Sequence, residues 1–288
     1  MNVQELLDQS NLNWNVLESP IYTTVGGNEI LIEDKKALVR EDTGSILSVV
    51  SESYHAFQNT ELFELLNKVS DTTGLQLMKG GMFKGGARVY VQFKSNDLNL
   101  TNANGSPDKV KGFLTGINSF DGSTSLAFGP SNITISCQNS FFAAFRAMDT
   151  KVRHTRNMMV RVDELAYSLT KLTEMEREMF TSITMMSETR FDDVIKDRVT
   201  KALFNIKPEV NLMDEDSVST TTRNKMSRFY IDLNGELQEK GDNLWGLFSG
   251  VTKYTTHNLT KGDNTEAKMF DVYGDREKRI FSSLAELV

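Results

Sequence analysis

The chain is poor in the residues that staple or metallate small folds: of its 288 residues one is Cys, three are His and four are Pro. A single Cys (Cys137) cannot form an internal disulfide or a Cys-rich zinc site, and His55, His154 and His257 lie about a hundred residues apart, so a structural zinc is not expected. No stretch approaches the roughly 18 uninterrupted apolar residues that a membrane span needs. Residues 1–9 are polar and acidic, without the basic start and apolar core of a secretion signal. These absences lead to the expectation of a cytoplasmic protein that enters no membrane, and no motif implies a cofactor.

Positive charge is also in short supply. With 32 basic and 39 acidic side chains the net charge is −7, which argues against a protein coated in basic residues but not against a basic groove on an acidic body. At 39% hydrophobic and 25% charged the chain reads as folded, and its length suits about two domains.

The first half has the grammar of β-hairpins. Ile21–Val25, Ile30–Glu33 and Ala37–Glu41 are short runs joined by Gly26-Gly27-Asn28 and by charged residues, and Ile46–Val50 is a further strand. Thr60, with Leu62, Phe63, Leu65, Leu66 and Val69 behind it, predicts a helix that Gly74 ends. Leu75–Met82 and Ala87–Lys94 flank the Gly-rich Phe83–Gly86, a strong hairpin pattern. Val89, Val91 and Phe93 alternate with Arg88, Tyr90, Gln92 and Lys94, the clearest period-2 strand in the chain. Asp97–Pro107 reads as an exposed loop. Val110–Asn118, Ser125–Phe128 and Asn132–Cys137 add strands, with turns at Asp121-Gly122-Ser123 and Gly129-Pro130.

Helical spacing takes over after about residue 139. Val162, Leu165, Leu169, Leu172, Met175, Met179, Ile183 and Met186 form one stripe, Phe191–Ile206 repeats it, Glu209–Ser219 is an acidic linker, and Leu244 to Tyr254 is helical again. The predicted class is α+β: an antiparallel, hairpin-rich N-terminal half packed with helices, then a mainly helical C-terminal half. The corresponding division is an α+β domain over 1–145, a helical region over 146–258 and a charged tail over 259–288.

Charge is unevenly distributed. Thr72 to Lys94 contains no acidic residue but includes Lys79, Lys84, Arg88 and Lys94. A second basic island holds Arg146, Lys151, Arg153, His154, Arg156 and Arg161, and a third holds Arg223, Lys225 and Arg228. Lys and Arg neutralise backbone phosphates, Gly permits close approach, and Phe83 and Tyr90 can stack on unpaired bases. One island alone is better explained as a solvated face; three bring a nucleic-acid track into contention.

Enzyme signatures are missing. Gly80–Gly86 lacks the Gly-Lys-Ser/Thr end of a nucleotide loop and has no helix after it. No HExxH and no Gly-x-Ser-x-Gly occurs. Cys137, after Ile133 and Ile135, reads as a buried strand thiol, and Asp121 and Asp192-Asp193 read as turn and helix caps before metal ligands. Trp245–Val251, with Gly246 and Gly250, reads as a site of close helix packing against the sheet or a neighbouring subunit before a ligand box.

Several segments carry a resemblance. Val49–Tyr54 with Gln58-Asn59, the Gly81–Gly86 hairpin, Asn118–Ser123, Cys137-Gln138-Asn139, Lys151–Thr155 and Asn243–Gly246 through Val251–Tyr254 resemble, in order and spacing, the phage/plasmid-like protein family catalogued as a domain of unknown function. Arg153-His154-Thr155 and Asn243-Leu244-Trp245-Gly246 are the most specific. The chain departs from the family's pattern at Ser140, where Thr is usual, and at Asn258, where a second His is common. The resemblance implies a bacteriophage, prophage or plasmid origin and no established activity. The layout of hairpins followed by a helix is similar to the core of single-strand annealing recombinases, a likeness at fold level only.

The leading expectation is a non-enzymatic single-stranded DNA-binding, strand-annealing recombination protein acting as a homo-oligomer, ring or filament, without nucleotide hydrolysis. Its DNA-binding residues are Lys79, Lys84, Arg88, Tyr90, Arg153, His154, Arg156 and Arg161. The rival is a phage-encoded protein that binds or inhibits a host defence protein through the acidic 209–216 segment. A metal-dependent nuclease stands third.

Overall fold

The computed structural model of the chain describes residues 3–73, 75–134, 140–142, 151–155, 158, 170–214, 216–259, 264–270 and 272–288. The architecture is α+β, with antiparallel sheets in the N-terminal half and mostly helices in the C-terminal half. A short helix α1 (Val3–Gln9) precedes strands β1 (Val16–Val25), β2 (Asn28–Arg40) and β3 (Ile46–Ser51), which form a three-stranded sheet in the order β1-β2-β3. Helix α2 (Asn59–Thr73) follows, then β4 (Gln76–Phe83), β5 (Arg88–Thr101), β6 (Pro107–Ser119), β7 (Leu126–Thr134), β8 (Ser140–Phe142) and β9 (Lys151–Val152). The second sheet has the order β4-β5-β6-β7-β8, with β9 also paired to β7. The helical part comprises α3 (Thr170–Glu188), α4 (Asp193–Phe204), α5 (Thr220–Lys240), α6 (Leu244–Lys253), α7 (Thr265–Phe270) and α8 (Val272–Ala285).

By contact density the chain divides into two interleaved units. The first holds residues 1–95, 113–129 and 144–173, and the second holds 96–112, 130–143 and 174–288. In the first, α1 and α2 pack on β4, and Leu6, Leu12, Phe57, Phe63, Val91 and Phe93 are buried. In the second, Ile183, Val199, Phe229, Leu244, Phe248 and Ile280 lie in one apolar cluster. The composition boundary near residue 145 lies outside the described residues, as do Gly74, Cys137 and the stripe positions Val162, Leu165 and Leu169.

Three local expectations are corrected. Within Asp97–Pro107 only residues 102–106 form the expected loop, because β5 continues to Thr101 and β6 begins at Pro107. The physical reason is that Leu98 and Leu100 alternate toward the apolar cluster of the second unit, and their burial outweighs the poor strand propensity of Asn96, Asp97 and Asn99. Gly129-Pro130 is no turn; both are buried inside β7. The stretch read as a charged tail carries α7 and α8, with Ile280, Phe281 and Leu284 buried at helical spacing.

Gly246 and Gly250 do lie at close-packing positions, but the expected partner, the sheet or a neighbouring subunit, is corrected: the neighbour is helix α5 of the same chain. A Cβ on Gly250 would stand 2.9 Å from the Leu233 Cα of α5, and one on Gly246 would stand 2.6 Å from the Gly241 carbonyl oxygen. Gly250→Val is expected to overpack this crossing and cost about 1–3 kcal/mol, read as a shift in the denaturant midpoint. Asp192 caps α4 by accepting from the Ile195 amide at 2.9 Å, as its position predicts.

Candidate functional site

The site is built around the β4–β5 hairpin in the first unit. Lys79 and Lys84 are exposed, Lys79 on β4 and Lys84 in the turn. That turn needs unusual backbone: Lys84, Gly85 and Gly86 have φ of 49°, 66° and 109°. A Cβ on Gly86 would also press on the Trp14 ring at 2.8 Å. Arg40 holds the turn from below, donating Nη1–H to the Gly85 carbonyl (2.8 Å) with its guanidinium over the Trp14 ring. Arg40 also forms a two-bond pair with Asp42 (2.9 and 2.6 Å), and those hydrogen bonds hold the Asp42 carboxyl below its ordinary pKa. On the hairpin itself Phe83 and Tyr90 stack, ring centroids 5.4 Å apart, and the Tyr90 ring lies where a Cβ on Gly81 would be, so that Gly seats the ring.

Alternation sets Arg88 and Gln92 on the face of β5 opposite Val89, Val91 and Phe93, yet both are buried, so this strand is covered on both sides. Arg88 donates Nε–H to Asp121 Oδ2 at 2.9 Å. Burial would raise the Asp121 pKa, but hydrogen bonds from Ser123 and Arg88 outweigh it and leave the carboxyl below its ordinary value. Burial and this pairing set Arg88 apart from the exposed cations of the hairpin.

A polar hub joins three segments that are far apart in sequence. Asn118, at the end of β6, donates from Nδ2 to the Phe57 carbonyl (2.9 Å), which turns its Oδ1 toward His154. His154 Nε2–H donates to that oxygen at 2.6 Å, so Nε2 carries the proton and Nδ1 is left with its lone pair. Burial, and secondarily the charge of nearby His55, lower the His154 pKa from 6.5 to about 4. The ring is therefore neutral near pH 7 and is not a cationic phosphate partner in this state. Tyr54 stacks on it with centroids 4.8 Å apart and donates its hydroxyl to the Ser119 carbonyl at 2.6 Å. Burial and the charge of Asp121 push the Tyr54 pKa upward, which keeps that hydroxyl a donor.

The segment Asn118–Asp121 is thus a common mount. The Phe120 amide donates to the Ala87 carbonyl (2.7 Å) and Asp121 receives Arg88, which fixes the hairpin turn that carries Lys84. Asn118 receives His154, which fixes the loop from which exposed Arg153 projects. Of the eight residues expected to bind DNA, Lys79, Lys84 and Arg153 are exposed, Tyr90 is half-buried, and Arg88 and His154 are buried; Arg156 and Arg161 lie outside the described residues. Tyr54, His55, Asn118 and Asp121 were not among the expected site residues, although all but His55 fall in the motif segments. The third basic island sits on α5 in the second unit, with Lys225 and Arg228 exposed and Arg223 half-buried.

The other specific motif, Asn243-Leu244-Trp245-Gly246, builds structure in the second unit. Asn243 caps α6 by accepting from the Gly246 amide (2.8 Å) and donates to the Lys240 carbonyl. The Trp245 indole donates to Asp108 Oδ2 (3.2 Å), which also pairs with Lys240 (2.9 Å), both charged side chains being 1% exposed. Glu236 joins them 3.7 Å from Lys240, and Lys253 closes the chain at 3.0 Å. Among the described residues no group of three His, Cys, Asp or Glu side chains could hold a metal ion, and no helix is long and apolar enough to cross a membrane.

A family model described as "Domain of unknown function (DUF932)" matches residues 46–278. No curated protein and no solved structure gives a significant match.

Proposed function

The chain belongs to the DUF932 family, and from that premise we propose that it binds single-stranded DNA and promotes strand annealing without nucleotide hydrolysis. The observation that carries the reading is the common mount: one segment, Asn118–Asp121, anchors both the acid-free hairpin bearing Lys79 and Lys84 and the loop bearing Arg153. Exposed cations on separate chain segments bind a backbone well only if their spacing is preset, since ordering a long side chain on binding is costly. The Phe83–Tyr90 stack beside them offers unpaired bases an aromatic surface. Annealing itself runs downhill once two strands are held extended, so a binding surface suffices.

Binding of a long oligonucleotide is expected to weaken steeply with salt, each neutralised phosphate adding about 0.7 to the magnitude of the log–log slope. Lys79→Glu combined with Lys84→Glu leaves the buried Arg88–Asp121 pair untouched. It is expected to lower affinity by about 10- to 100-fold and to flatten the slope by about 1.4. Unchanged affinity would acquit the hairpin.

One observation favours the rival reading of a protein that engages a host defence factor. Met213 is 91% exposed in the turn between α4 and α5, flanked by Glu209, Asp214 and Asp216. The same titration separates the two, because absence of any oligonucleotide binding at low salt removes the DNA reading and leaves the acidic turn.

A further inference from the structure

The β1–β2 hairpin outruns its third strand. β3 pairs with β2 only between Lys35 and Val39, so the hairpin beyond is a two-stranded ribbon. It is closed by Gly26 and Gly27, whose φ values of 58° and 87° give the two-residue turn of type I′. Its side chains suit water poorly: Tyr22, Val25, Ile30 and Leu31 are 54, 60, 48 and 46% exposed. The register sets Tyr22 and Leu31 on one face and Val25, Thr23 and Ile30 on the other. A two-stranded ribbon alone in water is marginally stable, so one that is apolar on both faces calls for further support.

The outer edge of β1 has no strand partner among the described residues. Natural edge strands are usually blunted by charge or Pro. Ile21-Tyr22-Thr23-Thr24-Val25 has neither, and all five residues are β-branched or aromatic. Pro20 and the register slip beside it mark where this open edge begins.

We infer that β1 pairs antiparallel with β1 of a second copy of this chain across a twofold axis at Thr23, joining two ribbons into a four-stranded sheet. In a two-residue hairpin Val25 and Asn28 close as a hydrogen-bonded pair, and Thr23 and Ile30 form the next one. The amides and carbonyls of Tyr22 and Thr24 therefore point outward. An axis at Thr23 sets Tyr22 opposite the second copy's Thr24, where each such pair exchanges two hydrogen bonds, and it repeats this on the other side. Thr23 meets its own counterpart as a close, non-hydrogen-bonded pair, an arrangement that suits Thr facing Thr. Val25 meets Ile21.

Charge selects this edge and this partner. No ionisable group other than the Tyr22 phenol enters the β1 window, so no like charges face each other. The ribbon's opposite edge carries Glu29, Glu33 and Asp34, and two copies joined antiparallel about Leu31 would set Glu29 against Glu33. The twofold contact closes at two copies and by itself builds neither the ring nor the filament expected from the sequence, and it stands without DNA.

Sedimentation equilibrium of the full chain, free of nucleic acid, tests it. The wild type is expected at twice the chain mass of 32.4 kDa, and Thr23→Lys and Thr23→Glu are each expected at the single-chain mass with unchanged circular dichroism. An equimolar mixture of the two variants is expected to recover the double mass, because Lys then faces Glu across the axis. A wild type of single-chain mass at a hundred micromolar overturns the inference. So does a Thr23→Lys protein that keeps the double mass, or a mixture that stays at the single mass.

Discussion

Asp108→Ala is expected to lower the melting temperature by about 6–20 °C, the equivalent of roughly 3–5 kcal/mol in a domain of this size. The substitution removes the carboxylate nearest to Lys240, a buried cation whose next acidic neighbour, Glu236, is 3.7 Å away against 2.9 Å for Asp108. It also strips the Trp245 indole of its acceptor. Breaking a buried pair from one side costs far more than the pair is worth, because the remaining charge has been desolvated without compensation. The double variant Asp108→Ala with Lys240→Met is therefore expected to recover most of the loss, and thermal melts of the single and double variants read the coupling directly. Equal melting temperatures for Asp108→Ala and wild type would show that the pair is not a keystone of the second unit.

His154 makes the first unit sensitive to acid. Its folded pKa of about 4 lies below the ordinary 6.5, chiefly through burial and then through His55. The unfolded chain thus takes up a proton as pH falls through 6.5, whereas the folded chain resists until about 4. The stabilisation is fully present above 6.5 and is lost as pH falls from there to about 4, amounting to about 3 kcal/mol over that window. Carboxylates titrate in part of the same range, so the informative quantity is a difference. His154→Gln keeps a donor for Asn118 Oδ1 but cannot be protonated, and the stability advantage of wild type over this variant is expected to shrink by about 3 kcal/mol between pH 6.5 and 4 in denaturant titrations. A difference independent of pH would mean that the ring titrates normally.

What could be read from the sequence follows from where the information sits. The β4–β5 hairpin was legible because both its signals are local: alternation through Val89, Val91 and Phe93, and a Gly-rich turn between the strands. Helix α5 was not singled out, and the reason is visible in its buried face. Met226, Phe229 and Leu233 begin an apolar stripe, but Asp232, Glu236 and Lys240 continue it with buried charges that no hydrophobic period registers. The same limit applies to the hub. His154 was singled out for its basic surroundings, yet its environment comes from Tyr54 and Asn118, which chain order does not place near it. Arg88 shows the converse, since a cation in an acid-free stretch can still be neutralised by an aspartate 33 positions onward.

The interleaving of the two units has a consequence for inheritance. The chain passes between them at 95/96, 112/113, 129/130, 143/144 and 173/174, so a cut anywhere between residues 96 and 173 leaves pieces of both on each side. Neither unit can be gained, lost or exchanged as a module by a single genetic join. Inheritance of one unit therefore requires inheritance of the other, and selection on either part is transmitted to the whole gene.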